Sequence, residues 1–382
     1  MKIVVAIDSF KGCLTSHEAN QAAKEGLEII FPQAEILTLP VADGGEGILD
    51  VLLKVTGGTR ISCDVHDPLM KEIKADYGIS GDGCTAFIEM AAASGLPLVS
   101  TEKRNPMNTT TFGTGEQIAD ALRRGCRNFI IGLGGSATND AGIGMLQALG
   151  YRFFDENKNE IKDIVCGKHL NIIHQIDSSC VMPQLKESSF TAACDVNNPF
   201  YGLQGAAHIF APQKGADKEI VKHLDEGLRN IAEVIKRTTE VDVSLIPGAG
   251  AAGGMGGGLM AFLHATLKPG ISLLLDIMHF EEALQNANLV VTGEGKADRQ
   301  TLMGKVPSGI LQMAKRHHIP TLLLAGRVED CDILKQAGFW ETKSITPQTQ
   351  PLIEAMKPNV AHQNMINALK ELFTNSQIDI VQ

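Results

Sequence analysis

The sequence predicts an α/β protein built on parallel sheet, and three stretches carry that prediction. In the first, the β-branched run Ile3 to Ile7 gives way to the loop Asp8-Ser9-Phe10-Lys11-Gly12 and then to helical apolar spacing over Ser16 to Ile30, with Ser16 a cap candidate. The second repeats the design: Glu35 to Val41, the loop Ala42 to Gly47, then Ile48 to Val55. The third restores it near the other end, with Leu289 to Thr292, the loop Gly293 to Arg299, and Pro307 to His317 as the helix. All three loops leave the carboxyl end of a strand, where open parallel sheets bind ligands.

Between these ends the texture differs. Ile61 to Val65, Ile73 to Ile79 and Ala86 to Met90 are short runs separated by turn signals at Asp67-Pro68 and Gly81-Asp82-Gly83, a pattern expected of antiparallel strands. A helix over about Gly113 to Arg124, a strand over Asn128 to Ile131, a helix ending at Leu149 and a strand over Thr191 to Cys194 follow. After Arg299, Thr321 to Ala325 and Thr342 to Ile345 read as strands and Val360 to Phe373 as a closing helix. The expected layout is a discontinuous doubly wound domain over 1–57 plus 283–382, interrupted by a mixed α/β domain over 58–282. Such a layout puts the active site in the cleft between them.

Composition narrows the function classes. With 382 residues the chain can bury a large core, and 39 glycines imply many tight loops. A net charge of −10 opposes nucleic-acid or anionic-membrane partners, so anionic ligands have to be held locally. The eight cysteines form no CxxC pair, and the chain opens on a strand-like run, as expected of a cytoplasmic protein. Ser244 to Leu267 has no charged residue, but its seven glycines and Pro247 argue for a glycine-rich loop entering a buried helix, not a membrane span.

The loops hold the chemistry. Gly132 to Gly142 reads as a phosphate cradle: Gly134 and Gly135 let backbone N–H groups approach an anion, Ser136, Thr138 and Asn139 offer side-chain contacts, and Asp140 adds a carboxylate at a helix start. Asp8, Ser9 and Lys11 stand at a strand end, where Lys11 can grip a carboxylate or phosphate and Asp8 can serve as a base. Asp43 and Glu46 stand among glycines, in a pattern that suits Mg²⁺. Asp195, in Asp195-Val196-Asn197-Asn198-Pro199, ends an apolar strand and is a catalytic-base candidate. In Gly293-Glu294-Gly295-Lys296-Ala297-Asp298-Arg299 charges cluster most densely, yet Val290 stands where a Walker A loop needs glycine.

Together, Asp8 to Gly12, Ala42 to Gly47, Gly132 to Gly142, Asp195 to Pro199, Gly250 to Gly258 and Thr292 to Asp298 resemble the glycerate kinase family of bacterial type, essentially end to end. The resemblance implies a Rossmann-like (flavodoxin-like) domain split by a second α/β domain. It also implies ATP-dependent phosphorylation of D-glycerate, with 2-phosphoglycerate the expected product and 3-phosphoglycerate the alternative.

On that basis ATP is expected against Gly134, Gly135, Ser136, Thr138 and Asn139, against Gly254, Gly256, Gly257 and Gly258, and against Gly293 and Gly295. Mg²⁺ falls to Asp43, Glu46, Asp195 or Asp298, and the glycerate carboxylate to Ser9, Lys11 and Arg299. Lys296 or Lys11 would stabilise charge on the transferring group, and Asp195, then Asp8, would accept the hydroxyl proton. A homodimer is compatible with the sequence. Two rivals stand beside this reading. A nucleotide-dependent hydroxy-acid oxidoreductase would need a GxGxxG after the first strand, which is missing. A non-catalytic sugar-acid sensor would need no acid and base among its glycine loops.

Overall fold

A computed structural model describes residues 1–41 and 48–375, so Asp43, Glu46 and their glycine loop lie outside the described residues. The strands in chain order are β1 (Lys2–Ile7), β2 (Glu35–Thr38), β3 (Thr59–His66), β4 (Glu72–Ile79), β5 (Thr85–Glu89), β6 (Asn128–Gly132), β7 (Arg152–Phe154), β8 (Gln175–Asp177), β9 (Ser189–Ala193), β10 (Thr266–Lys268), β11 (Leu289–Ala297), β12 (Thr321–Val328) and β13 (Glu341–Ser344). They divide between two compact units, one formed by Met1–Val51 with the chain from Ile271 onward, the other by Leu52–Gly270.

The first unit holds a parallel sheet in the order β13-β12-β11-β1-β2. Numbered along that unit's own chain, the order is 5-4-3-1-2, the flavodoxin-like doubly wound arrangement, and the winding reverses between β1 and β11. Strands covered on both faces need near-continuous apolar runs, and Ile3, Val4, Val5, Ala6 and Ile7 are fully buried, as are Leu322, Leu323 and Leu324. Helix Ser16–Ile30 turns Ala19, Ala22, Ala23 and Leu27 inward. Gly26 lets it lie close to helix Pro358–Asn375, because a Cβ there would come within 2.9 Å of the Leu369 side chain.

Two local expectations change. The helix cap is Thr15, not Ser16: the Thr15 hydroxyl accepts from the Glu18 N–H while Glu18 reaches back to the Thr15 N–H. Ser16 instead donates its hydroxyl hydrogen to the Ile7 carbonyl. The stretch expected as the loop Gly293 to Ala297 is strand, because β11 runs on beside β12 as far as the pair Ala297 and Val328.

The second unit is mixed, with the sheet order β10-β9-β6-β5-β4-β3. β3, β4 and β5 pair antiparallel, as the short alternating runs predict, while β5, β6, β9 and β10 pair parallel. Helix Lys218–Thr239, capped by the Asp217 carboxylate on the Ile220 N–H, packs Leu224, Leu228, Ile231 and Ile235 into the core. Among the described residues no helix is long and apolar enough to cross a membrane.

The glycine block is a loop entering a buried helix, as expected, and three of the glycines expected against ATP fall within the helix. Gly256, Gly257 and Gly258 lie within the buried helix Met255–Leu263, not in an open loop. A Cβ would meet the Gly248 carbonyl at 2.4 Å from Gly256, the Phe200 ring at 2.6 Å from Gly257, and the Ala141 carbonyl at 2.3 Å from Gly258. Gly254 has φ +91° and a Cβ there would meet Phe200 at 3.0 Å. These glycines permit close packing, and the N–H groups of Gly254, Gly256, Gly257 and Gly258 all bond to carbonyls within the fold.

Gly258→Ala is therefore expected to cost about 1–3 kcal/mol and to lower the melting temperature by roughly 2–10 °C. Gly134→Ala, whose Cβ would meet nothing within 4 Å, is expected to stay within about 0.5 kcal/mol of wild type. Equal melting temperatures for the two variants would contradict the packing role.

Candidate active site

β1 ends where a side chain takes over its hydrogen bonding. Asn20, fully buried on the first helix, accepts from the Ile7 N–H at 3.3 Å and donates to the Ile7 carbonyl at 2.8 Å, beside the Ser16 hydroxyl at 2.6 Å. Asp8 still returns its N–H to the Gly293 carbonyl at 2.9 Å, after which the chain folds into a tight loop with reciprocal Phe10 and Leu14 backbone bonds and Gly12 at φ +74°. β11 continues alone beside β12. The step between a finished β1 and an unfinished β11 is the crevice that a switch point provides.

A cavity of about 1120 Å³ opens there. Asp8, Ser9 and Lys11 line it from the β1 side, Glu294, Gly295 and Lys296 from β11, and Lys305 from just ahead of helix Val306–Arg316. Arg327 and Glu329 close it from the end of β12. Its walls thus mix four cations with three carboxylates, a set that can hold anions while keeping acceptors free of them.

Ion pairs order these groups. Lys296 lies 3.0 Å from Glu329 and 3.4 Å from Asp298, and the bond to Glu329, then that to Asp298, raises its pKa. Lys305 lies 3.0 Å from Glu294, and Arg327 3.6 Å from Glu329. Asp8 is almost buried and its Oδ1 accepts the Ser9 N–H at 2.6 Å. Asp298 accepts the Gln300 N–H at 2.8 Å, and this backbone bond is the main reason its carboxyl lies below the usual range. Arg299 is exposed and pairs with Asp330 at 3.3 Å, outside the residues that line the cavity.

Expectation and placement differ in three respects. Asp8, Ser9, Lys11, Lys296 and Gly295 share one cavity; Arg299 and Asp298 do not line it. Gly293 sits inside the sheet, where a Cβ would meet the Leu324 carbonyl at 2.2 Å, and it does not line the cavity. Glu294, Lys305 and Arg327 were missed. Glu294 had a signal, a carboxylate between two glycines at the end of an apolar run, but Lys305 and Arg327 had none.

The second unit carries the remaining candidates. Gly134 and Gly135 form an exposed turn after β6, whereas Ser136, Thr138 and Asn139 are buried beneath it. Lys214, also buried and missed in the sequence, supports this turn by donating to the Ser136 hydroxyl at 2.8 Å and the Thr138 carbonyl at 2.6 Å. Asp140 is fully buried, and its Oδ2 accepts from the Thr111 N–H and hydroxyl, both at 2.8 Å. Burial raises its pKa against those bonds, and it acts as a bolt at a helix start. Asp195 is exposed and accepts the Gly270 N–H at 2.9 Å.

Among the described residues no three His, Cys, Asp or Glu side chains gather to hold a metal ion. Mg²⁺ commonly needs only one or two carboxylates alongside substrate phosphates, and Asp8 at the cavity wall fits that smaller requirement.

Comparison with known proteins gives a consistent result. The model of the glycerate kinase family matches residues 3–376. A glycerate 2-kinase from Escherichia coli (strain K12) is 47% identical over 97% of both chains, and a glycerate kinase from Bacillus cereus is 46% identical over the same shares. A crystal structure of a protein provisionally named glycerate kinase 2, from Salmonella typhimurium LT2, superposes with a TM-score of 0.86 at 42% identity, covering 99% of this chain and all of that one.

Lys214 gives a pH signature. Burial pushes its ammonium from the ordinary value of 10.5 down to about 7, with Asp140 pulling weakly the other way. Between those values the unfolded chain binds the extra proton, so this residue makes stability rise with pH across that window, its cost being greatest below it. In Lys214→Met the urea midpoint is expected to rise less between pH 7 and pH 10 than in wild type. Parallel pH profiles for the two proteins would contradict the depressed lysine.

Proposed function

This chain belongs to the glycerate kinase family, and from that premise we propose that it transfers the γ-phosphoryl group of ATP to D-glycerate, giving 2-phosphoglycerate and ADP, in the cavity at the β1–β11 switch point. The observation that carries this reading is the convergence of Lys11, Lys296, Lys305 and Arg327 with Asp8 and Glu294 on that cavity. A substrate with its own carboxylate, meeting a polyphosphate, needs several cations at once. We also propose that the first unit is a Rossmann-like domain into which the mixed unit is inserted, and that the protein works in a reducing cytoplasm, a setting consistent with its eight free cysteines.

Lys11, exposed on the loop after β1, is assigned to the glycerate carboxylate with Ser9 beside it. Lys296 and Arg327 stand opposite each other on paired strands and are assigned to the phosphates. Charge in a loose phosphoryl-transfer transition state spreads over the equatorial oxygens, so two fixed cations do more there than in the ground state. Mg²⁺, when bound, supplies further neutralisation of phosphate charge, and Asp8 is the described carboxylate placed to hold it. Asp195 and Asp298, each accepting a backbone N–H, are the weaker metal candidates.

Incubation with ATP, Mg²⁺ and D-glycerate is expected to yield ADP, with phosphorus NMR placing the new ester on the 2-hydroxyl; no glycerate-dependent ADP would end the kinase reading. Lys11→Ala is expected to raise KM for D-glycerate at least about tenfold, with kcat within about threefold. Glycerol, which lacks the carboxylate, should be indifferent to the same substitution. An equal loss with glycerol would remove Lys11 from carboxylate binding.

A further inference from the structure

Glu294 holds an anomaly within the cavity. It is nine-tenths buried, its Oε2 accepts from the Lys305 ammonium at 3.0 Å, and its Oε1 is buried with no hydrogen-bond partner among the described residues. An ionised carboxylate is acceptor-only, and a buried oxygen left without a donor carries an unmet desolvation cost. The oxygen belongs to a residue that lines the cavity. What it lacks is a donor, and an alcohol O–H is one.

Register adds a second constraint. Ile7 pairs with Gly293, so Asp8 and Glu294 each stand one residue beyond that pair on neighbouring parallel chains, on the same side of the sheet. Asp8 already accepts a backbone N–H through Oδ1. Glu294 has Oε2 fixed by Lys305, which also compensates the charge that burial would otherwise penalise. Asp8 and Glu294 thus stand side by side where the sheet opens, each with one oxygen held in place.

We propose that Glu294 is the catalytic residue that receives the proton of the substrate hydroxyl, with Lys305 as its positioning residue; this rests on the kinase reading of the same cavity. The hydroxyl donates to Oε1. As its oxygen forms a bond to the γ-phosphorus, the bond from that phosphorus to the β–γ bridging oxygen breaks, and the electron pair leaves with ADP. The hydroxyl proton passes to Oε1 and is later lost to solvent. Because the transition state is loose, proton transfer accompanies late O–P bond formation, and Glu294 acts as much by aiming the hydroxyl as by its basicity.

The test measures glycerate-dependent ADP formation and, by calorimetry, D-glycerate binding, in wild type, Glu294→Gln, Lys305→Met, Lys305→Arg and Asp195→Asn. Glu294→Gln should lower kcat at least about a hundredfold while KM for ATP stays within about threefold and glycerate still binds. Lys305→Met should lower kcat about tenfold, and Lys305→Arg should recover most of that loss. Loss of kcat in Asp195→Asn with Glu294→Gln near wild type would overturn the proposal and leave the kinase reading intact. So would a Glu294→Gln protein that binds glycerate and turns it over within about threefold of wild type. A wild-type protein forming no glycerate-dependent ADP would overturn the kinase reading and this assignment with it. Should Glu294→Gln fail to bind glycerate, the Lys305 pair decides: tenfold loss with recovery in arginine supports the assignment, and unchanged kcat in both refutes it.

Discussion

The cavity depends on where β1 stops. A parallel strand in the middle of a sheet would ordinarily continue pairing on both sides, and its neighbours would leave no opening. Here the Asn20 amide satisfies both backbone groups of Ile7, and the Ser16 hydroxyl takes the second lone pair of that carbonyl. With these groups met by side chains, the backbone needs no strand on that side of Ile7, and after the last bond from Asp8 to Gly293 it leaves the ladder with no group of Ile7 unsatisfied. Asp8, Ser9 and Lys11 then turn away from the sheet while β11 carries Glu294 and Lys296 onward. Charges from strands far apart in sequence reach one wall because one strand is ended deliberately.

Much of this was legible in the sequence, for physical reasons that differ from element to element. Strands such as Ile3 to Ile7 and helices such as Ser16 to Ile30 announce themselves because burial on two faces or one stripe imposes a period on the residues. Loops after strands can be located, and Asp8, Ser9 and Lys11 do line the cavity. What a sequence does not reveal is which of two uses a glycine serves. Gly134 and Gly135 stay on the surface, but Gly256, Gly257 and Gly258 are where backbone and ring press against a helix. The same residue type answers both needs, and only neighbours distant in sequence tell them apart.

Charged residues are ambiguous for a related reason. Asp195 follows an apolar strand just as Asp8 does, yet it is exposed and tied to the start of a helix. Lys305 precedes an ordinary helix start and carries no local sign that its partner is Glu294, eleven residues back on a strand. Lys214 is the extreme case, because nothing about Pro212-Gln213-Lys214-Gly215 suggests an ammonium buried under a glycine turn. Pairing across the fold is a property of topology, and topology has to be seen.

The order of strands along the chain also bears on how the protein is made. Lys2 bonds to Asn288, 286 residues later, and β1 has β11 as one of its two neighbours. During synthesis at about 5–20 residues per second, β1 and β2 emerge roughly 15–60 s before the strand that completes their sheet. The stretch from Leu52 to Gly270 has its own core and all of its own strands by then. The first fifty or so residues therefore wait on the ribosome as an amphipathic helix beside β1 and β2, with the apolar edge of β1 that β11 later covers still unpaired, surface that chaperones bind and that aggregates when they do not. Loop-closure entropy adds only slowly with length, so the cost of this arrangement is paid in time more than in final stability.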